Sequence, residues 1–401
     1  MLDVVVNHFG WNGDPASVDY STFVPFNSSS QYHPYCPINF DDISNSTQLE
    51  QCWMGDTSVS LPDLRTEDED VATQWNDWIA DIVSTYSIDG LRLDSAIEVN
   101  PSFWQGFGDV AGVYFVGETY NGGVDYVCGF QNVMPGVMDY PTYYPLLAAF
   151  SSTPASDDTL MANLADTINA VKGSCKDTSI KGTFTENHDR PRIAHLNPDI
   201  SAARNVIAYT LLADGIPIIY QGQEQHYTSI GGAEDPYNRE ALWLSGYNTS
   251  SPLHELIATL NAGRKAAIAD DEGYLTYRNW PIYTDTTTMA MRKGSMITIL
   301  SNKGEDGDAY EQVIPAGYPA GAQVTEVLTC ASLTADGDGA ITVPMEGGLP
   351  RVYYPSAGLE GSGICAGGDS AAARDQASSG SGRAKRHSRR HHMKRHLRWD
   401  S

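Results

Sequence analysis

Four apolar runs in the first half of this chain each end in a polar, mostly acidic block. They are Leu2-Asp3-Val4-Val5-Val6-Asn7-His8, Asp89-Gly90-Leu91-Arg92-Leu93-Asp94, Tyr114-Phe115-Val116-Gly117-Glu118 and Gly182-Thr183-Phe184-Thr185-Glu186-Asn187-His188-Asp189. Each reads as a buried strand that delivers polar groups at its C-terminal end. The pattern predicts strands over 1–8, 88–94, 113–118, 133–139, 182–186 and 216–220. Helix-period stretches separate them, over 67–86, 101–108, 143–150, 158–172, 201–212 and 253–267. That alternation predicts a parallel α/β sheet with crossover helices. In a parallel barrel every strand C-terminus opens onto one face, where chemistry is done. A closed (β/α)8 TIM barrel needs eight strands and the count is six, so we expect the first two βα units to be missing. The strand at 1–8 would then be an unpaired edge, which favours aggregation.

The gathered groups are two Asp (Asp94, Asp189), Glu118, two His (His8, His188) and Arg92. Carboxylates flanking a bond, with cationic support, are the equipment for cleaving a glycosidic linkage. Arg92 stands two residues before Asp94, so on a strand both point to the same face. A guanidinium there keeps a carboxylate ionised. Glu118 has the opposite requirement as a general acid, and needs a less polar, like-charged setting.

Residues 9–64 are irregular and rich in Ser, Asn, Asp, Pro and Tyr, an insertion of a length that is usually functional. The 67–86 helix carries Trp75, Trp78, Ile79, Ile82 and Val83 on one stripe, expected to be core. From Gly273 the pattern becomes short and alternating, over 286–292, 295–300, 323–328, 340–343 and 351–354, which predicts a small antiparallel domain. The last stretch, 367–401, is expected to be a disordered basic tail. Nine Lys/Arg against two Asp in 371–401 give +7, leaving −32 of the net −25 on residues 1–370. So acidic a body disfavours nucleic acid and anionic membranes, and neutral sugars pay no such penalty. No apolar run approaches the roughly 18 residues of a membrane span. The six cysteines show no metal spacing, and their 15 possible pairings stay open on sequence. Acceptor motifs for N-glycans stand at Asn27, Asn45 and Asn248, and with the even cysteine count they favour an oxidising, secretory route. No signal peptide precedes Met1, which we read as a missing N-terminal piece.

The four blocks resemble the conserved regions of the α-amylase family (glycoside hydrolase family 13), and the chain from Asp3 to Cys365 is similar to fungal members of the Taka-amylase type. Val59-Ser-Leu-Pro-Asp63, Gln131-Asn-Val-Met134, Gly215-Ile-Pro-Ile-Ile-Tyr220, Gly222-Gln-Glu-Gln-His226, Met289-Ala-Met-Arg-Lys293 and Gly347-Gly-Leu-Pro-Arg351 extend the match. The resemblance implies a barrel (1–8 and 65–270), an inserted domain B (9–64) and a C-terminal antiparallel β-sandwich (271–366). It implies endo-acting, retaining hydrolysis of α-1,4 bonds in starch, glycogen and maltooligosaccharides by a secreted monomer. Asp94 matches the nucleophile, Glu118 the general acid/base and Asp189 the third carboxylate. His8 and His188 match donors to the sugar at the cleavage point, and Asp3 matches a support for Arg92. Asp235 and Arg239 match contacts on the non-reducing side. Tyr120 and Met54 fall around the cleft, and Glu186 is not expected to be catalytic. Calcium is implied, with Asn7, Glu50 and Asp63 as side-chain ligands and Glu98 through its carbonyl, an oxygen set suited to a hard cation. Disulfides Cys36–Cys52, Cys128–Cys175 and Cys330–Cys365 are implied as well. Where the family usually reads Lys-His on the leaving-group side, this chain has Ile97-Glu98. That departure keeps a 4-α-glucanotransferase as the alternative, and an inactive truncated protein as another. A non-catalytic starch-binding protein would show a lost carboxylate, and none is lost.

Overall fold

The computed structural model describes residues 1–365 apart from Pro154 and Ser156, so the basic tail expected over 367–401 lies outside the described residues. Six short parallel strands stand side by side in chain order. They are β1 (Leu2–Val4), β2 (Gly90–Leu93), β3 (Tyr114–Gly117), β4 (Gly136–Val137), β5 (Gly182–Thr183) and β6 (Ile216–Pro217). A parallel bridge between Met138 and Gly182 carries the order across from β4 to β5. Among the described residues neither β1 nor β6 has a second strand partner, so the arc is open.

The helices are α1 (Ser46–Gln51), which lies in the insertion, then α2 (Glu69–Tyr86), α3 (Pro101–Ala111), α4 (Val124–Gly129), α5 (Tyr140–Phe150), α6 (Leu160–Ser174), α7 (Ile193–Leu196), α8 (Ile200–Leu212) and α9 (Pro252–Asp270), which follow the strands in chain order. Their starts follow local chemistry. Asn100 caps α3 ahead of Pro101, and Ser251 caps α9 ahead of Pro252, pairing a side-chain acceptor with a residue that has no N–H to leave unsatisfied. α8 is buried almost all round, which explains its apolar run. Trp75 and Ile79 of α2 are buried as expected, but Trp78 is 38% exposed and meets Trp75 edge-on at the flank of the stripe.

The predicted strand over 1–8 is shorter in the ladder. After Val4 the chain leaves β2 and turns toward the insertion, where His8 forms a bridge with Asp63. The insertion holds together through its own aromatic cluster. Phe9 packs on Phe23 at 5.0 Å, and Phe26 packs on Trp75 of α2 at 5.3 Å, which ties the loop to the barrel.

Past α9 the chain is antiparallel: β7 (Trp280–Thr284), β8 (Thr288–Lys293), β9 (Met296–Ser301), β10 (Tyr310–Ile314), β11 (Gln323–Glu326), β12 (Ser332–Thr334), β13 (Ile341–Met345) and β14 (Arg351–Pro355). Six form one sheet in the order β12-β11-β14-β9-β8-β7, and β10 pairs with β13. β7, β10 and β12 were not predicted. β7 contains Pro281, which demotes a strand signal, and it lies at the sheet edge, where a missing N–H is tolerated. All three implied disulfides are present.

Candidate active site

The parallel register builds the site. Asp3 and Arg92 are cross-strand partners, and so are Leu93 and Gly117. One step further the ladder continues, with Asp94 N–H donating to the Val4 carbonyl (2.9 Å) and Glu118 N–H to that of Leu93 (2.8 Å). Asp94 and Glu118 therefore leave neighbouring strands at the same level. A Cβ at Gly117 would lie 2.5 Å from Met134 Sδ and 3.0 Å from Ala96 Cβ, so any larger residue would force Met134 to move.

Arg92 is the hub. Its Nη1 contacts Asp3 at 3.0 Å and Asp94 at 2.5 Å, and its Nη2 contacts Glu118 at 2.9 Å. Ser95, in the left-handed region (φ 50°), donates from Oγ to Asp94 (2.7 Å) and from its N–H to Glu118 (3.2 Å). Burial works against the charge on Asp94, but the bonds from Ser95 and Arg92 outweigh it and hold the carboxyl below its ordinary range. Glu118 moves the other way. Burial raises it, Asp94 and Asp189 add to the rise, and Arg92 opposes without cancelling it. Tyr140 Oη donates to Glu118 at 3.3 Å and accepts from Asn187 at 3.1 Å.

Asp189 joins from the loop after β5. His188 Nε2 lies 3.1 Å from it and Arg239 Nη2 2.9 Å, while Arg239 Nε holds Asp235 at 3.0 Å. His8 is close enough to feel Asp94, yet burial lowers its pKa. A cavity of about 400 Å³ is lined by Asp94, Glu118 and Asp189 together with Met54, Tyr120 and Glu98. All eight residues expected at the catalytic centre and its flank thus come together. Glu186 does not join them. It is fully buried, pushed up to about 7 by burial, and paired with Arg192 at 3.0 Å.

Ile97 and Glu98 behave differently. Ile97 is buried in the core and does not reach the cleft. Glu98 does reach it, pushed up to about 8 chiefly by burial and then by Glu118. Sequence reasoning missed Ser95, Tyr140 and Arg190. For Ser95 and Arg190 the available signal was position: each directly follows an expected carboxylate, Asp94 or Asp189.

The oxygen set expected for calcium lies at the base of the insertion. Asn7 Nδ2 donates to Asp63 Oδ1 (2.7 Å) and to the Glu98 carbonyl (2.9 Å). Asn7 Oδ1 is buried with no hydrogen-bond partner, which calls for a donor or a cation. Glu50 sits on α1, which packs against the 96–98 turn, and receives Asn100 at 3.0 Å. His33, buried between Asp63 (2.5 Å) and Glu67 (2.9 Å), is pushed up to about 9 because these carboxylates outweigh its desolvation. Among the described residues no cluster of three or more His, Cys, Asp and Glu side chains is spaced to hold a metal. An amide oxygen and a backbone carbonyl would have to complete the set, and their chemistry fits a hard cation.

A parallel barrel arc with two close carboxyls and a guanidinium at its strand ends has the equipment of a carboxylate glycoside hydrolase. Sequence comparison makes this specific. Residues 1–248 match the α-amylase catalytic domain and residues 281–373 match α-amylase domain C. Alpha-amylase 1 of Schwanniomyces occidentalis is 46% identical over 91% of this chain and 70% of its own length. The α-amylase of Saccharomycopsis fibuligera is 43% identical, covering 89% and 70%. The structure of an α-amylase from Malbranchea cinnamomea superposes with a TM-score of 0.86 at 48% identity, covering 91% of this chain and 76% of that one. The chain belongs to the α-amylase family, glycoside hydrolases that cleave internal α-1,4 bonds of glucans.

Proposed function

We propose that Asp94 is the nucleophile and Glu118 the general acid/base of a retaining endo-hydrolysis of starch, glycogen and maltooligosaccharides. The observation that carries this reading is the opposed tuning of two carboxyls held by one guanidinium: Asp94 depressed, Glu118 raised. Asp94 Oδ attacks the anomeric carbon as the C1–O bond breaks, and the Glu118 proton passes to the leaving oxygen. Water then gives its proton to Glu118 and displaces Asp94, restoring both groups. Asp189, with His188 and Arg239 against it, binds hydroxyls of the distorted sugar, and His8 donates from the β1 side. Asp235 and Arg239 continue the non-reducing side. Arg92 keeps Asp94 ionised before attack, with Asp3 as its support.

Asn7, Glu50, Asp63 and the Glu98 carbonyl would hold calcium, which when bound supplies a clamp between the insertion and the barrel. We assign the barrel to 1–8 and 65–270, domain B to 9–64 and the C-terminal domain to 271–366. The secretory route accords with three disulfides and with Asn27, Asn45 and Asn248, all exposed, and we assign the protein as a monomer. No described helix is long and apolar enough to cross a membrane.

The test is release of reducing ends from soluble starch by the purified chain, with and without calcium, beside Asp94→Asn. Activity lost in the variant supports the assignment. Full activity in Asp94→Asn rejects it.

A further inference from the structure

The cleft also holds a cation that the catalytic scheme leaves idle. Arg190 directly follows Asp189 and lines the same cavity as Asp94 and Glu118. Its guanidinium lies over the Tyr120 ring, 4.2 Å from the centroid, and 5.7 Å from that of Tyr144, whose hydroxyl accepts from Nη2 at 3.0 Å. Among the described residues no ion pair to Arg190 is formed; burial lowers its pKa, and the nearby Glu234 and Glu118 oppose this without cancelling it. Nε is buried without a hydrogen-bond partner. A guanidinium kept for structure alone would normally be paired and satisfied. This one is held by aromatic faces, in a cleft whose substrate is rich in hydroxyl acceptors.

Its place indicates which half of the substrate it meets. Tyr120 is two residues beyond Glu118 on the exit of β3, and the acid must face the leaving oxygen. Asp189 itself is held by Arg239, which also binds Asp235. We propose that Arg190, seated on Tyr120, binds the leaving-group half of the glucan by donating to hydroxyls of the sugar beyond the scissile bond. Arg190 is thus a specificity-determining residue. The inference rests on Glu118 being the acid, since that fixes which side is which.

The test compares two substrates that differ only beyond the cleaved bond: maltohexaose, and a maltooligoside with a nitrophenyl leaving group. Arg190→Gln should lower kcat/KM on maltohexaose about tenfold, the scale of one lost charge-assisted hydrogen bond. The aryl substrate should change less than about twofold, because it offers no hydroxyl there. Arg190→Gln in an Asp94→Asn background should weaken maltohexaose binding in a calorimeter by the same factor. Equal losses on both substrates, or unchanged maltohexaose binding, would overturn the proposal. A purely structural role moves both substrates together and lowers the melting temperature. Failure of the underlying reading looks different, with Asp94→Asn or Glu118→Gln remaining active.

Discussion

The Ser95 hydroxyl donates to Asp94 at 2.7 Å from the residue directly after it, in a left-handed turn that also aims the Ser95 N–H at Glu118. One serine thus serves both carboxyls, and it favours the charged form of Asp94.

With the proposed roles, activity requires Asp94 ionised and Glu118 protonated, so the rate should fall below the Asp94 pKa and above that of Glu118. Asp94 is depressed, so the acid limb starts below the ordinary carboxylate range. Glu118 is raised, which extends activity upward in pH. Ser95→Ala removes a bond to the ionised form and should move the acid limb to higher pH. A pH profile of kcat/KM checks this, and an unmoved limb counts against it.

Glu118→Gln should cost roughly 10²- to 10⁴-fold on starch, the usual contribution of a general acid. The loss should shrink on substrates whose leaving group needs no proton, and the alkaline limb should vanish. Steady-state kinetics on the two substrate types measures both.

Much of this centre was legible in the sequence. Asp3, Arg92, Asp94 and Glu118 end apolar runs, and period-two alternation told which side chains share a face. The contribution of Tyr140 was not legible, because it is a buried aromatic at the start of α5 that reaches Glu118 from beyond the neighbouring strand β4. Ile97 was expected beside the leaving group, yet an apolar side chain on the 96–98 turn finds the core and leaves Glu98 facing the cavity. β10 was missed because its alternation is carried by polar and half-exposed residues, and β12 because it has only three residues, so their partners β13 and β11 define them.

Asp214 joins the barrel to the C-terminal sheet. Its Oδ1 accepts from Lys293 of β8 at 2.7 Å and from the Asn279 N–H at 2.8 Å, and its Oδ2 accepts from Thr178 at 2.6 Å. Asp214→Ala leaves Lys293 buried and unpaired, and should destabilise by about 3–5 kcal/mol. Burial opposes the Asp214 charge, but Lys293 depresses its pKa overall. A depressed carboxylate stabilises the fold above its unfolded pKa, and this contribution is lost as pH falls through the folded value. Denaturant titrations should show a gap between wild type and variant that narrows in acid.

Calcium at about 100 times its dissociation constant should raise stability by about 2.7 kcal/mol, and a chelator should remove the gain. Asn7→Ala deletes one expected ligand and should flatten this response. Thermal unfolding with and without calcium decides; an equal response in the variant would place the ion elsewhere.

The central claim is that Asp94 forms a covalent bond to the sugar. The most direct measurement is mass spectrometry of peptides from the protein treated with an activated fluoro-maltosyl substrate that reacts quickly and hydrolyses slowly. A glycosyl adduct on Asp94, absent from Asp94→Asn, is the result the account predicts. An adduct on Glu118 or Asp189, or turnover of the activated substrate with no adduct, would contradict it.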